Sequence, residues 1–207
     1  MKKQEFNPLR IFVALILLGM FGYFAGCRKG KYEEGMKYLA EGKYWEASKY
    51  YQQKLKDNPK NPVLENQLGY SYAKLGKLPE AEKHYQKAIE LKPGYPEAHY
   101  NLGFLYMQGP RLKLDEAVKE FDQAIAARKD YAKAYSNRSI AHGYLGHFDQ
   151  ARKDIEKAIS LEPENPVFKA NRDWLEQMEV INTDFQQKRK AEAGKEKPKV
   201  PEEPPPK

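Results

Sequence analysis

The side chains of this 207-residue chain best suited to chemistry are one thiol, Cys27, and four imidazoles, His84, His99, His142 and His147. No two of the histidines stand four residues apart, the one-turn spacing that lets two imidazoles on one helix face share a metal. A single cysteine rules out an intrachain disulfide and every multi-cysteine zinc pattern. Carboxylates are plentiful, but runs such as EAEKHYQK set them among lysines, where pairing between adjacent turns of a helix accounts for them. There is no Gly-rich phosphate loop. Neither a metal nor a cofactor is expected, and the chain reads as a non-enzyme. The 36 basic residues are interleaved with 29 acidic ones, so the formal charge of +7 reads as a solvated mixed surface with no nucleic acid partner.

Cys27 draws its meaning from the residues N-terminal to it. MKKQEFNPLR carries Lys2, Lys3 and Arg10, and IFVALILLGMFGYFAG then runs from Ile11 to Gly26 without a charge. A positive start, a short apolar stretch and small residues before a cut define a secretory signal. Sixteen uncharged residues, 11–26, fall short of the roughly 20 that span a bilayer as a helix. Export is therefore expected, with an uncleaved one-pass anchor as the alternative. Phe24-Ala25-Gly26-Cys27 resembles a bacterial lipobox, although Phe24 stands where that pattern prefers an aliphatic residue. The resemblance implies that 1–26 is a lipoprotein-type signal peptide and that acylated Cys27 tethers the mature chain. Arg28 in place of the inner-membrane retention Asp implies the outer membrane, facing the periplasm, with an inner-membrane anchor as the alternative.

The histidines and most of the carboxylates must be positioned by the remainder of the chain, and from Gly35 onward that chain repeats itself. GMKYLAEGKYWEASKYYQQKLKDNP from Gly35 is matched by segments starting at Gly69, Gly103 and Ser139, at steps of 34, 34 and 36 residues. Such a period signals a solenoid. Small residues at those starts and at Ala47, Ala81, Ala117 and Ala151 permit close helix approach. Tyr51, Tyr85 and Phe121 supply the knobs, with Tyr38, Tyr72 and Tyr106 on the facing helices. Gly42, Gly76 and Gly146 mark turns; Pro59, Pro93 and Pro163 end second helices; Pro62, Pro96 and Pro166 suit first turns. His99 and His142 fall at packing positions, as core or half-buried imidazoles.

The pattern resembles the tetratricopeptide repeat. The resemblance implies an all-α solenoid of antiparallel helix pairs, a right-handed superhelix, with repeats at 28–61, 62–95, 96–131 and 132–165. Repeat three carries two extra residues in its turn, around Pro110. The stretch 166–190, with Phe168, Trp174, Leu175, Met178, Ile181 and Phe185, reads as a capping helix whose far end is exposed or partner-bound. The Lys-, Glu- and Pro-rich 191–207 reads as a disordered tail.

By this resemblance the concave face binds protein, and its lining positions are Tyr32, Met36, Asn66, Gln67, Tyr70, Tyr100, Asn101, Phe104, Met107, Asn137, Ile140 and Tyr144. Aromatics and methionines beside amides suit a peptide's side chains and backbone. Asn101, Asn137 and Lys133 match parts of a family clamp for C-terminal carboxylates, but Tyr70 replaces one of its asparagines. The implied protein is a membrane-anchored adaptor of the bacterial envelope that binds an envelope protein or peptide. It is similar to repeat lipoproteins that assist type IV pilus secretins (pilotins) and to those that scaffold peptidoglycan enzymes.

Overall fold

The computed structural model describes residues 32–109 and 112–193. The signal segment, Cys27, the turn at Pro110 and the tail from 194 onward lie outside those residues. Among the described residues there are nine helices and no strand: α1 Glu33–Ala40, α2 Tyr44–Asp57, α3 Pro62–Lys74, α4 Leu78–Leu91, α5 Pro96–Tyr106, α6 Leu114–Ala127, α7 Ala132–Tyr144, α8 Phe148–Leu161 and α9 Pro166–Ala193.

Local chemistry sets the helix ends. Pro62, Pro96 and Pro166 open α3, α5 and α9, where the amide they lack would have had no intrahelical acceptor. Asn61 Oδ1 caps α3 by accepting from the amides of Val63 and Leu64. Gly42, Gly76 and Gly146 have φ of 71°, 73° and 77°, a left-handed backbone that glycine adopts without strain. Each lets the next amide reach back over the helix end: Lys43 N–H donates to Tyr38 O (2.8 Å), Lys77 to Tyr72 O (3.0 Å) and His147 to His142 O (2.8 Å). Repeat three makes the same closing bond across its longer turn, from Lys113 N–H to Tyr106 O (3.0 Å).

The helices stack as an inner layer of α1, α3, α5 and α7 against an outer layer of α2, α4, α6 and α8, each packed on the preceding and following helix. The core is a file of inter-layer seams. Ala47, Ala81, Ala117 and Ala151 are fully buried, and Tyr51, Tyr85 and Phe121 are no more than 1% exposed. A Cβ on Gly35 would stand 2.6 Å from Tyr51, one on Gly69 2.8 Å from Tyr85, and one on Gly103 3.0 Å from Phe121. Glycine is therefore required where each ring lies flat against the opposing helix. In repeat four Ser139 takes the glycine position and Ile155 the ring position, both fully buried. There Gly143 makes the room instead, with Trp174 and Leu175 of α9 3.0 Å from where its Cβ would be.

α9 packs on α7 and α8 through Phe168 and Leu175, both 3% exposed, as a cap should. It then continues three residues past the expected limit of 190, with Val180, Ile181 and Phe185 exposed.

Candidate functional site

Along an inner helix, steps of three and four residues from position 2 of the repeat return to one face. The face opposite the outer layer is lined by just this stripe. Met36, Asn66, Gln67, Tyr70, Tyr100, Asn101 and Phe104 gather around a cavity of about 570 Å³ spanning α1, α3, α5 and the start of α7. The outer helices contribute nothing to its lining. Seven of the twelve expected groove residues thus come together.

The other five stand apart for identifiable reasons. Tyr32 packs its ring on the Tyr51–Leu64 cluster, and its hydroxyl accepts from Asn61 Nδ2 (2.8 Å). Met107 follows the end of α5 and packs on the Phe121 cluster. Asn137 is drawn to Tyr100, donating from Nδ2 to its hydroxyl (3.0 Å). Ile140 lies half-buried beyond the cavity, and Tyr144 packs its ring against Trp174 of α9 at 5.0 Å.

The lining also includes Leu39, Ala40, Lys74, Glu97 and Tyr131, which sequence reading did not assign to it, and Lys133, which it assigned to the clamp. Ala40 and Lys74 share repeat position 13, and Glu97 and Lys133 share position 2. Extending the stripe one turn each way would have found them.

Hydrogen bonds hold the lining in register. Asn101 Nδ2 donates to Asn66 Oδ1 (3.0 Å), Asn137 to Tyr100, and Asn171 Nδ2 to Ser136 Oγ (2.9 Å). In repeats three and four and in α9 an amide at position 6 thereby grips position 5 of the repeat before. Gln67 Nε2 turns instead to Met36 Sδ at 3.5 Å. Tyr100 lies parallel to Phe104 at 6.3 Å and leans on Tyr131 at 5.0 Å. Burial raises the pKa of Tyr100, against the opposing hydrogen bond from Asn137, and burial raises that of Tyr131 as well. Both hydroxyls are therefore neutral at physiological pH. Glu97 is paired with Arg128, whose guanidinium lies 4.4 Å from the Tyr131 ring centre. Among the described residues Lys74 and Lys133 make no ion pair, so the cavity wall carries positive charge.

The carboxylates correct the sequence reading. Glu65 and Asp154 are 8% and 6% exposed, far from outward positions. Glu65 Oε2 lies 2.6 Å from His84 Nδ1, Glu120 Oε2 2.7 Å from His99 Nδ1, and Asp154 accepts two bonds from Arg138. In EAEKHYQK, Glu82 accepts from the Tyr106 hydroxyl (3.0 Å) and from Lys113 Nζ (3.2 Å). Pairing between helices, more than along them, is what these acids do. His99 is 6% exposed and His142 half-buried, in keeping with their packing positions. Among the described residues no group of three His, Cys, Asp or Glu side chains could hold a metal. Among the same residues no helix is long and apolar enough to cross a membrane.

Comparison with known proteins agrees with this geometry. Family models match at residues 69–109 (TPR repeat) and 132–165 (Tetratricopeptide repeat). The solved structure of MamA is 24% identical, covers 76% of this chain and 96% of its own, and superposes with a TM-score of 0.58. The first such domain of Spaghetti (RPAP3), solved bound to the HSP90 peptide SRMEEVD, is 29% identical over 56% of this chain and 91% of its own, with a TM-score of 0.54. RNA polymerase II-associated protein 3 of Mus musculus is 29% identical over 133 residues, 64% of this chain. The chain spans only 15% of that relative's length. Tetratricopeptide repeats are thus recognised in this chain both by family models and by solved structures that share its fold.

Proposed function

We propose that this protein is a non-enzymatic adaptor, tethered to a membrane of the bacterial envelope through its N-terminal segment, that holds an extended segment of a partner protein in the inner-layer groove. The observation that carries the reading is the composition of that groove. Met36, Tyr70, Tyr100 and Phe104 offer apolar contact beside Asn66, Gln67 and Asn101, with Lys74 and Lys133 on the wall. A peptide presents the matching set: side chains for the rings, backbone groups for the amides, and an acidic residue for the lysines.

The Spaghetti domain, solved with an HSP90 peptide, supports a peptide as the class of ligand. A grip on a terminal carboxylate is less well served here. Asn101 and Asn137 each direct one Nδ2–H to Asn66 and Tyr100, and Tyr70 stands at an asparagine position of the clamp. An internal acidic and aromatic or aliphatic stretch suits the groove better. Acylation of Cys27, or an uncleaved anchor, would hold the chain at a membrane. The outer membrane, facing the periplasm, is the destination that Arg28 favours. Partner classes that fit are an assembling secretin and a peptidoglycan enzyme.

The test is a crosslinking pulldown from native membranes with wild type, Cys27→Ser and the double variant Tyr70→Ala/Phe104→Ala. Phe104 is 40% exposed and Tyr70 sits half-buried at the edge of the Tyr85 cluster, so the double variant should melt at a lower temperature, still cooperatively, while losing the partner. Retention of the same partner by a folded double variant would refute the groove. Membrane association of Cys27→Ser equal to wild type would replace acylation by the uncleaved anchor.

A further inference from the structure

The four repeats serve as controls for one another, and one outward position breaks the pattern. The second residue of each outer helix is exposed. It is Pro79 in α4, Asp115 in α6 and Asp149 in α8, but Trp45 in α2. Trp45 is 54% exposed, and Lys49 Nζ lies 3.6 Å from its ring centre. Lys56 projects from the same outward stripe two turns further on. Among the described residues neither Lys49 nor Lys56 makes an ion pair. More than half of this indole stands in water, where its apolar face costs free energy.

From these observations, and resting on the membrane-tethered reading above, we infer that the outer face of α2 is a lipid-contact surface that lies against anionic headgroups. Tryptophan partitions to the bilayer interface because its flat ring is apolar and its N–H is wet, and nearby lysines are attracted to anionic lipid. The chain supplies the proximity. Five residue steps separate Cys27, at the end of the apolar run, from Tyr32, a reach of at most about 17 Å. Tyr32 caps α1, whose axis stands about 8–10 Å behind that of α2, and the outer half of α2 adds about 5–6 Å, so the roughly 13–16 Å to be spanned is within that reach and α2 can lie flat on the surface. The groove is lined only from the inner layer, so this posture turns it away from the membrane and toward a partner.

The test uses the full chain taken from native membranes and reconstituted into vesicles of phosphatidylglycerol and brominated phosphatidylcholine, whose bromines quench nearby indoles. The chain has two tryptophans, Trp45 and Trp174. Wild type should float with the vesicles and lose the Trp45 share of its emission. Trp45→Phe should float equally and melt as wild type, yet show no quenching. Lys49→Gln/Lys56→Gln should lower the quenching on anionic vesicles to the level seen on neutral ones. Wild type that floats with unquenched emission overturns the lipid contact and leaves the tether standing. Emission that stays unquenched by bromine but shifts blue on adding envelope proteins assigns the face to protein instead. A chain found in the soluble fraction overturns the tether and this inference together.

Discussion

Repeats two and three carry the same polar clasp with its partners exchanged. Glu65 on the inner helix meets His84 on the outer one at 2.6 Å, and 34 to 36 residues later His99 on the inner helix meets Glu120 on the outer one at 2.7 Å. The positions are equivalent in the repeat frame, yet the two sites differ. The His84 side chain is 23% exposed and stacks on Tyr72 at 5.4 Å. The His99 side chain is 7% exposed, and its Nε2 lies 2.7 Å from the Pro93 carbonyl, so both ring nitrogens face acceptors. Burial by itself pushes the His99 pKa down. The hydrogen bonds to Glu120 and to Pro93 O, with the charge of Glu120, outweigh it and raise the pKa above the ordinary histidine value. A repeat frame thus dictates where a pair can form, while the loop carrying Pro93 adds the second acceptor that His99 meets.

The largest effect should come from what both repeats share. Gly69→Leu and Gly103→Leu each drive a side chain into a ring that already lies about 3 Å away, so each should cost at least about 3 kcal/mol in denaturant unfolding. Wild-type stability for either would break the common frame. Next comes the cap, since Leu175→Ala empties a site that is 3% exposed and should cost about 2–4 kcal/mol.

The clasps themselves should differ in a double-mutant cycle. His99→Gln with Glu120→Gln should show a coupling of about 1–2 kcal/mol, and His84→Gln with Glu65→Gln a smaller one. The pH dependence tests the His99 clasp. A histidine whose folded pKa is raised stabilises fully below its unfolded value of about 6.5, and that stability is lost as pH rises through the folded pKa. The melting temperature should therefore fall over that window in wild type, and fall less in His99→Gln. A window that survives unchanged in His99→Gln would remove His99 as its cause. The smallest effect extends the comparison to repeat one. Among the described residues the buried Tyr51 hydroxyl has no hydrogen-bond partner, so Tyr51→Phe should be neutral or slightly stabilising, within about 0.5 kcal/mol.

Much of the fold was legible because its punctuation is local. Gly42, Gly76 and Gly146 adopt the left-handed backbone that only glycine takes freely, and Pro62, Pro96 and Pro166 open helices, each for a reason confined to a few neighbouring residues. The groove was legible in part. Positions 5, 6 and 9 of the inner helices reach it in the second and third repeats, whereas Tyr144 turns its ring to Trp174 of α9. Asn137 was read as groove lining because nothing local indicates that Tyr100, 37 residues away, occupies its donor.

The sequence by itself determined the helix pairs, their order and the glycine-against-ring seams, because a period of about 34 residues and the backbone preferences of glycine and proline are written in the chain. Only the tertiary structure decided which charges pair and which inner-face residues share one cavity. Glu65, Glu120 and Asp154 lie within ordinary-looking helical charge runs, and they become the partners of His84, His99 and Arg138, Glu65 and Asp154 buried and Glu120 half-buried, only when two helices pack closely enough to restrict water between them.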